Sequence, residues 1–154
     1  YDVRFDDPDY KHSGEYPFQY NEVKAVKSVL DEYPNKISLH LEFHTDPYQD
    51  TIGNYAECLE NSVLYDLLYD LTIDNRAYLK EKYSFSATYG NVIYPTKGSN
   101  CFRYMEEIHG IPSAIIEANV GFFAEVGTKE QMKSVVDWYT DVIKKTICFV
   151  NQIM

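Results

Sequence analysis

Three groups of residues have types and spacing suited to chemistry. The first is Glu117, which closes the apolar run Ser113-Ala-Ile-Ile-Glu117. A short run of this kind reads as a buried strand, and ligands of α/β sheets bind at the carboxyl ends of strands. A carboxylate placed there suits a general base toward water, above all beside a metal. The plainer role is an ion pair with a Lys or Arg at a strand edge. The second group lies in HLEFHTD, where His40, Glu42 and His44 fall on one face and Asp46 follows. On a straight strand His40 and His44 stand roughly 13 Å apart, so they are not adjacent ligands without a bend. A histidine at the carboxyl end of a strand, beside a loop, suits a metal better than one in mid-strand. That favours His44 over His40, against the plainer role of either as a packing or surface histidine. The third is Tyr94-Pro-Thr-Lys-Gly-Ser99, where Pro and Gly make a turn and a tyrosine on a mobile loop can donate to a substrate. The chain has 15 tyrosines, so packing is the ordinary role of any one of them. There is no phosphate loop, GxSxG elbow, HExxH pair or Ser-His-Asp order. Cys58, Cys101 and Cys148 are odd in number and widely spaced, which reads as free thiols rather than a disulfide framework or zinc knuckle.

The elements that must position these residues alternate along the chain. Residues 1–18 read as a turn-rich loop. Val23, Val26, Val29 and Leu30 recur at helical spacing and predict an amphipathic helix over Gln19–Tyr33, ended by Pro34-Asn35. Residues 36–44 then alternate strictly, with Ile37, Leu39, Leu41 and Phe43 on one face and Ser38, His40, Glu42 and His44 on the other. That is a strand, stopped by Asp46-Pro47. Residues 48–54 read as a loop. Residues 55–82, rich in Leu, Tyr and acids, predict one or two helices with a junction near Ile73-Asp74-Asn75. An extended piece over 85–94 leads into the Pro95–Gly98 turn. A helix over Asn100–Ile108 is ended by His109-Gly110-Ile111-Pro112. The strand 113–117 follows, and Thr128 caps a long helix to about Ile153. This order predicts an α/β fold, a mixed, mostly parallel sheet flanked by helices.

Composition narrows the function. The 154 residues carry 24 acidic and 14 basic side chains, a net charge of −10. A chain of that balance lacks the basic face that nucleic acid requires. No apolar run reaches about 18 residues, so no membrane span is expected. With 45% hydrophobic and 25% charged residues, the composition is that of a soluble globular domain. The opening YDVRFDDPDY shows neither the basic nor the apolar stretch of a signal peptide, and the compartment stays open between cytoplasmic and secreted.

The three groups occur in a definite order: strand-end His, Tyr-Pro-x-x-Gly-Ser, and an apolar strand ending in Glu. That order resembles the carboxypeptidase A-type zinc carboxypeptidases. Upstream, Gly14-Glu15-Tyr16 and Asn21-Glu22 resemble the family stretch that leads into a helix, although the family's Ser-Glu stands here as Gln19-Tyr20. ISLHLEFHTDP is similar to the strand bearing the family's third zinc ligand. Tyr94-Pro95-Thr96-x-Gly98-Ser99 resembles the loop with the substrate-contacting tyrosine, and HGIPSAIIEA the segment whose Glu activates the zinc-bound water. The resemblance spans nearly the whole chain. It implies a zinc carboxypeptidase-like fold, Zn²⁺ as cofactor and a peptide or peptide-like substrate trimmed at its C-terminus. It implies Glu117 as general base and acid and Tyr94 as a catalytic and substrate-binding tyrosine. Ser99 and Asn100 are then substrate-binding too, with Asn100 and Cys101 near the specificity pocket. The third zinc ligand is His44 or, alternatively, His40.

The departures matter as much. The family's first two zinc ligands come from H-x-x-E, and none of His12, His40, His44 and His109 has Glu three positions on. The substrate-carboxylate Arg of the family's N-R is likewise not matched. A catalytic zinc needs three protein ligands. The expectation is therefore that residues 1–154 form the C-terminal portion of one carboxypeptidase-like domain, a partial domain inactive by itself. The alternatives are a zinc-free binding or scaffold relative of the same fold, and an amidohydrolase-type deacylase.

Overall fold

The computed structural model describes residues 21–33, 35–46, 54–83, 93–95, 101–119 and 129–153. Helix α1 spans Asn21–Glu32. It ends where Asn35 takes a left-handed φ of 64°, a conformation asparagine tolerates better than most residues. The described part of its apolar stripe, Val26 and Val29, is exposed. Strand β1 spans His40–Asp46, starting later and running further than the alternation of 36–44 suggests. Strand β2 follows at Tyr55–Cys58, then α2 at Tyr65–Tyr83 and β3 at Ile93–Pro95. Helix α3 spans Cys101–His109, β4 Ser113–Asn119 and α4 Lys129–Ile153. Thr128, the expected cap of α4, lies outside the described residues.

Two expectations for 55–82 need correction. The segment opens with a strand, not a helix. Tyr55, Ala56 and Cys58 are buried and Glu57 partly so, and so short a strand has no alternation to betray it. The rest is one continuous helix with no junction at Ile73–Asn75. No Pro or Gly interrupts it, and its middle is tied to the start of β2. Asn54 Nδ2 donates to Asn75 Oδ1 at 2.8 Å, and Arg76 Nε donates to the Asn54 carbonyl at 3.0 Å. Ser62 accepts the Leu64 N–H through its hydroxyl at 3.3 Å, covering one of the orphan donors at the start of α2. Asp66 in the first turn and Lys80 and Lys82 in the last oppose the helix dipole with the favourable sign.

The four strands form one sheet in the order β1-β4-β2-β3, so β1 and β3 are its edges. The β1–β4 and β2–β3 pairs are parallel and the central β2–β4 pair is antiparallel. The sheet is thus mixed and mostly parallel. Its alternation sorts side chains to two faces. Ala114, Ile116 and Ala118 of β4 and Ala56 and Cys58 of β2 join Leu64, Leu68 and Leu71 and, from α4, Val135, Trp138, Val142 and Val150 in the core. Leu39 and Leu41 pack against this cluster. Ser113, Ile115 and Glu117 take the opposite face of β4, and α3 contacts β4 and β1, with Phe102 and Met105 buried. Gly110, at φ 66°, makes the left-handed turn that ends α3. Its N–H reaches the Glu106 carbonyl at 3.0 Å, and the Pro112 carbonyl beyond it accepts the His40 N–H at 3.0 Å. That bond sets the level at which β4 starts beside β1. Among the described residues no helix is long and apolar enough to cross a membrane.

Candidate active site

Register decides which candidates meet. In the parallel β1–β4 ladder His40 pairs with Ser113, Glu42 with Ile115 and His44 with Glu117. Paired residues of parallel strands present their side chains on the same face. His44 and Glu117, at the carboxyl-terminal parts of neighbouring parallel strands, therefore stand side by side. His44 Nδ1 lies 3.3 Å from Glu117 Oε1. On its other side His44 Nε2 lies 3.5 Å from Glu42 Oε2. Glu117 is 8% exposed, whereas the His44 side chain is 47% exposed. A buried carboxylate thus sits behind an imidazole that solvent and ligands can reach. Across β4, Tyr55 of β2 pairs with Glu117 in the antiparallel ladder and is itself buried.

A helix fastens this strand-end pair from the core side. The Tyr139 hydroxyl of α4 donates to the His44 carbonyl at 2.5 Å and also hydrogen-bonds the Ala118 backbone. Its ring meets Phe43 edge-on, with centroids 4.9 Å apart. Burial raises the Tyr139 hydroxyl above its ordinary pKa, the Ala118 contact opposes this, and the Glu117 charge adds to the rise. One side chain of α4 thereby holds β1 and β4 together immediately beside His44 and Glu117.

Nothing among protein-family models, curated proteins or solved structures matches the chain. The carboxypeptidase resemblance therefore stands on the order of its motifs alone.

The other candidates are placed as follows. His40 begins β1, opposite Ser113 and away from Glu117. Its side chain is 19% exposed, and burial lowers its pKa while Glu42 pulls the other way. Tyr94 lies in β3, where its backbone pairs with Glu57 of β2, rather than on the loop that the Pro-Gly turn suggests. Ile93-Tyr94 suits a strand, and Pro95, which has no N–H to donate, ends it at an edge. Ser99 and Asn100 lie outside the described residues. Sequence reasoning missed Tyr139, because nothing distinguishes one tyrosine on an amphipathic helix until the helix is docked. It noted Glu42 as a residue of the face without giving it a role.

A metal at this place would meet suitable donors, since imidazole nitrogen and carboxylate oxygen are zinc ligands. Among the described residues, however, no group of three or more His, Cys, Asp or Glu is arranged to hold a metal ion. His44 offers one ligand of the three that a catalytic zinc requires.

Proposed function

We propose that the chain contributes to a zinc-dependent metallocarboxypeptidase-like hydrolase, with the fold of that family, that removes C-terminal residues from peptides. The observation that supports this reading is the in-register pairing of His44 with Glu117 at 3.3 Å on adjacent parallel strands. In this reading His44 is one zinc ligand, and the others come from residues outside those described. When bound, the metal supplies carbonyl polarisation and an acidified water. Glu117 accepts the proton of the attacking water on a carboxylate oxygen and delivers it to the leaving amine. Its burial keeps bulk water from competing for that proton. Tyr139 and the strand pairing fix where His44 and Glu117 stand relative to each other. Tyr94, with Ser99 and Asn100, contacts the C-terminal residue of the substrate.

The test is Glu117→Gln in the full-length protein, assayed on peptides with a free C-terminus and paired with zinc analysis. Hydrolysis should fall by about 10²–10⁴-fold or more, with zinc content unchanged. Retained hydrolysis would refute the role of Glu117 as general base.

A further inference from the structure

Helices α2 and α4 meet on the face of the sheet opposite Glu117, where Leu68, Leu71, Val135, Trp138 and Val142 join the core. Between them they leave a groove of about 520 Å³, within the range of about 300–1,000 Å³ common to small-molecule sites. Its floor includes Leu71 and Trp138, both buried. Its rim is charged. Asp74 and Tyr78 stand one turn apart on α2, and Asp137, Asp141 and Lys144 follow one another along one face of α4, as the helical repeat dictates. Asp137 is held by Lys133 at 2.5 Å, and Asp141 lies 3.9 Å from Lys145, both pairs within α4. Asp74 and Lys144 are exposed and have no ion-pair or hydrogen-bond partner among the described residues. A free carboxylate on α2 and a free ammonium on α4 thus border the same groove without pairing with each other. The floor holds a third unused group. Trp138 Nε1 is buried and has no hydrogen-bond partner, although an indole nitrogen is a donor only and a buried donor without an acceptor is destabilising.

We propose that the groove between α2 and α4 binds a small zwitterion, with its ammonium group at Asp74 and its carboxylate at Lys144 and the indole N–H of Trp138. Free amino acids and short peptides are the class that carries both charges around an apolar body. A ligand with only a positive charge leaves Lys144 and the Trp138 N–H without an acceptor. One with only a negative charge meets the carboxylates of Asp74, Asp137 and Asp141. A zwitterion satisfies all three unused groups at once, and its apolar body lies on Leu71 and the Trp138 ring. A turn of the indole ring brings its N–H, closed to water in the empty groove, onto the carboxylate. Nothing here depends on the hydrolase reading, because His44 and Glu117 stand on the other face of the sheet.

Trp138 is the only tryptophan of the chain, so its indole ¹H–¹⁵N resonance and its fluorescence report on the groove directly. The test titrates the full chain with L-leucine and with the dipeptide Leu-Leu. In parallel it uses the amide of each, which lacks the carboxylate, and the N-acetyl form of each, which lacks the ammonium. A saturable shift of the indole resonance is expected with leucine, with Leu-Leu or with both, and the two arms tell an amino-acid site from a peptide site. Each blocked form should bind about 5–10-fold more weakly than its parent, the worth of one partly exposed charged contact. Asp74→Asn should erase the preference over the N-acetyl form, and Lys144→Gln the preference over the amide. Both positions are exposed, so both variants should fold, and circular dichroism checks this. The absence of a saturable shift with either parent compound overturns the proposal. So does equal binding of either blocked form, or a preference that the matching variant leaves intact. The indole N–H then has water as its partner, and the groove is a seam between two helices.

Discussion

Replacing Tyr139 with Phe removes one oxygen atom and leaves the ring. The edge contact with Phe43 at 4.9 Å survives, as does the packing of the ring against the core cluster. What is lost is the bond to the His44 carbonyl and the contact with the Ala118 backbone. A net hydrogen bond contributes about 1 kcal/mol, so losing two costs roughly 1–2 kcal/mol where water replaces them in part. For a chain of this size each kcal/mol corresponds to about 2–4 °C in Tm, which gives a fall of roughly 2–8 °C. Thermal and urea denaturation followed by circular dichroism measure the loss. Amide hydrogen exchange locates it, because the Ala118 N–H should exchange faster while amides in the middle of α2 do not. In the full-length protein the same variant should lower kcat more than it raises KM, since it displaces His44 and Glu117 relative to each other. A Tyr139→Phe chain with unchanged Tm and unchanged Ala118 exchange would refute the idea that this hydroxyl holds the strand ends together.

Other outcomes follow from the same geometry. The 154-residue chain should bind zinc weakly and hydrolyse no peptide, because the described residues offer His44 alone as an imidazole ligand at the site. Stoichiometric zinc with turnover in this chain would contradict that. Thiol labelling should separate two cysteines: Cys148 is exposed and should react, while Cys58 is buried with its thiol pushed up to about 12 and should react only on unfolding. Equal labelling rates in the native chain would count against the core assignment. The Glu106 carboxyl is raised above its ordinary pKa, first by burial. A raised carboxyl binds protons more tightly folded than unfolded, so its contribution is fully present below about pH 4.5 and is lost as pH rises through the folded pKa. Glu106→Gln should therefore raise Tm at neutral pH and flatten the pH dependence above 4.5, as a series of melts would show.

Much of the fold is legible in periodicity. The alternation of residues 36–44, the apolar run 113–117 and the helical stripes each mark an element that the structure contains within a few residues. What escapes is set by neighbours rather than by local pattern. Strand β2 is short and mostly buried, so its four residues look like the start of the helix that follows. A mixed, mostly parallel sheet is expected from the order of elements, but which pair is antiparallel goes unseen, because that pair includes β2. At the site, Glu117 stands out through its own run. The strand-end position already favours His44 over His40, and register adds what the sequence does not show, that His44 pairs with Glu117 and His40 with Ser113. The role of Tyr139 depends on where α4 docks, which no residue of α4 announces.

The pairing of residue 44 with residue 117 also has a temporal consequence. The partners are 73 residues apart, and closing a loop of that length costs about 4 kcal/mol in chain entropy. Contacts of such separation form late, after the local helices. On a ribosome adding about 5–20 residues per second, β1 emerges roughly 4–15 seconds before β4. During that interval Leu41 and Phe43 have no ladder partner in β4, and β1 is a bare template for other chains. The acids and histidines on its opposite face keep half of that template polar while it waits.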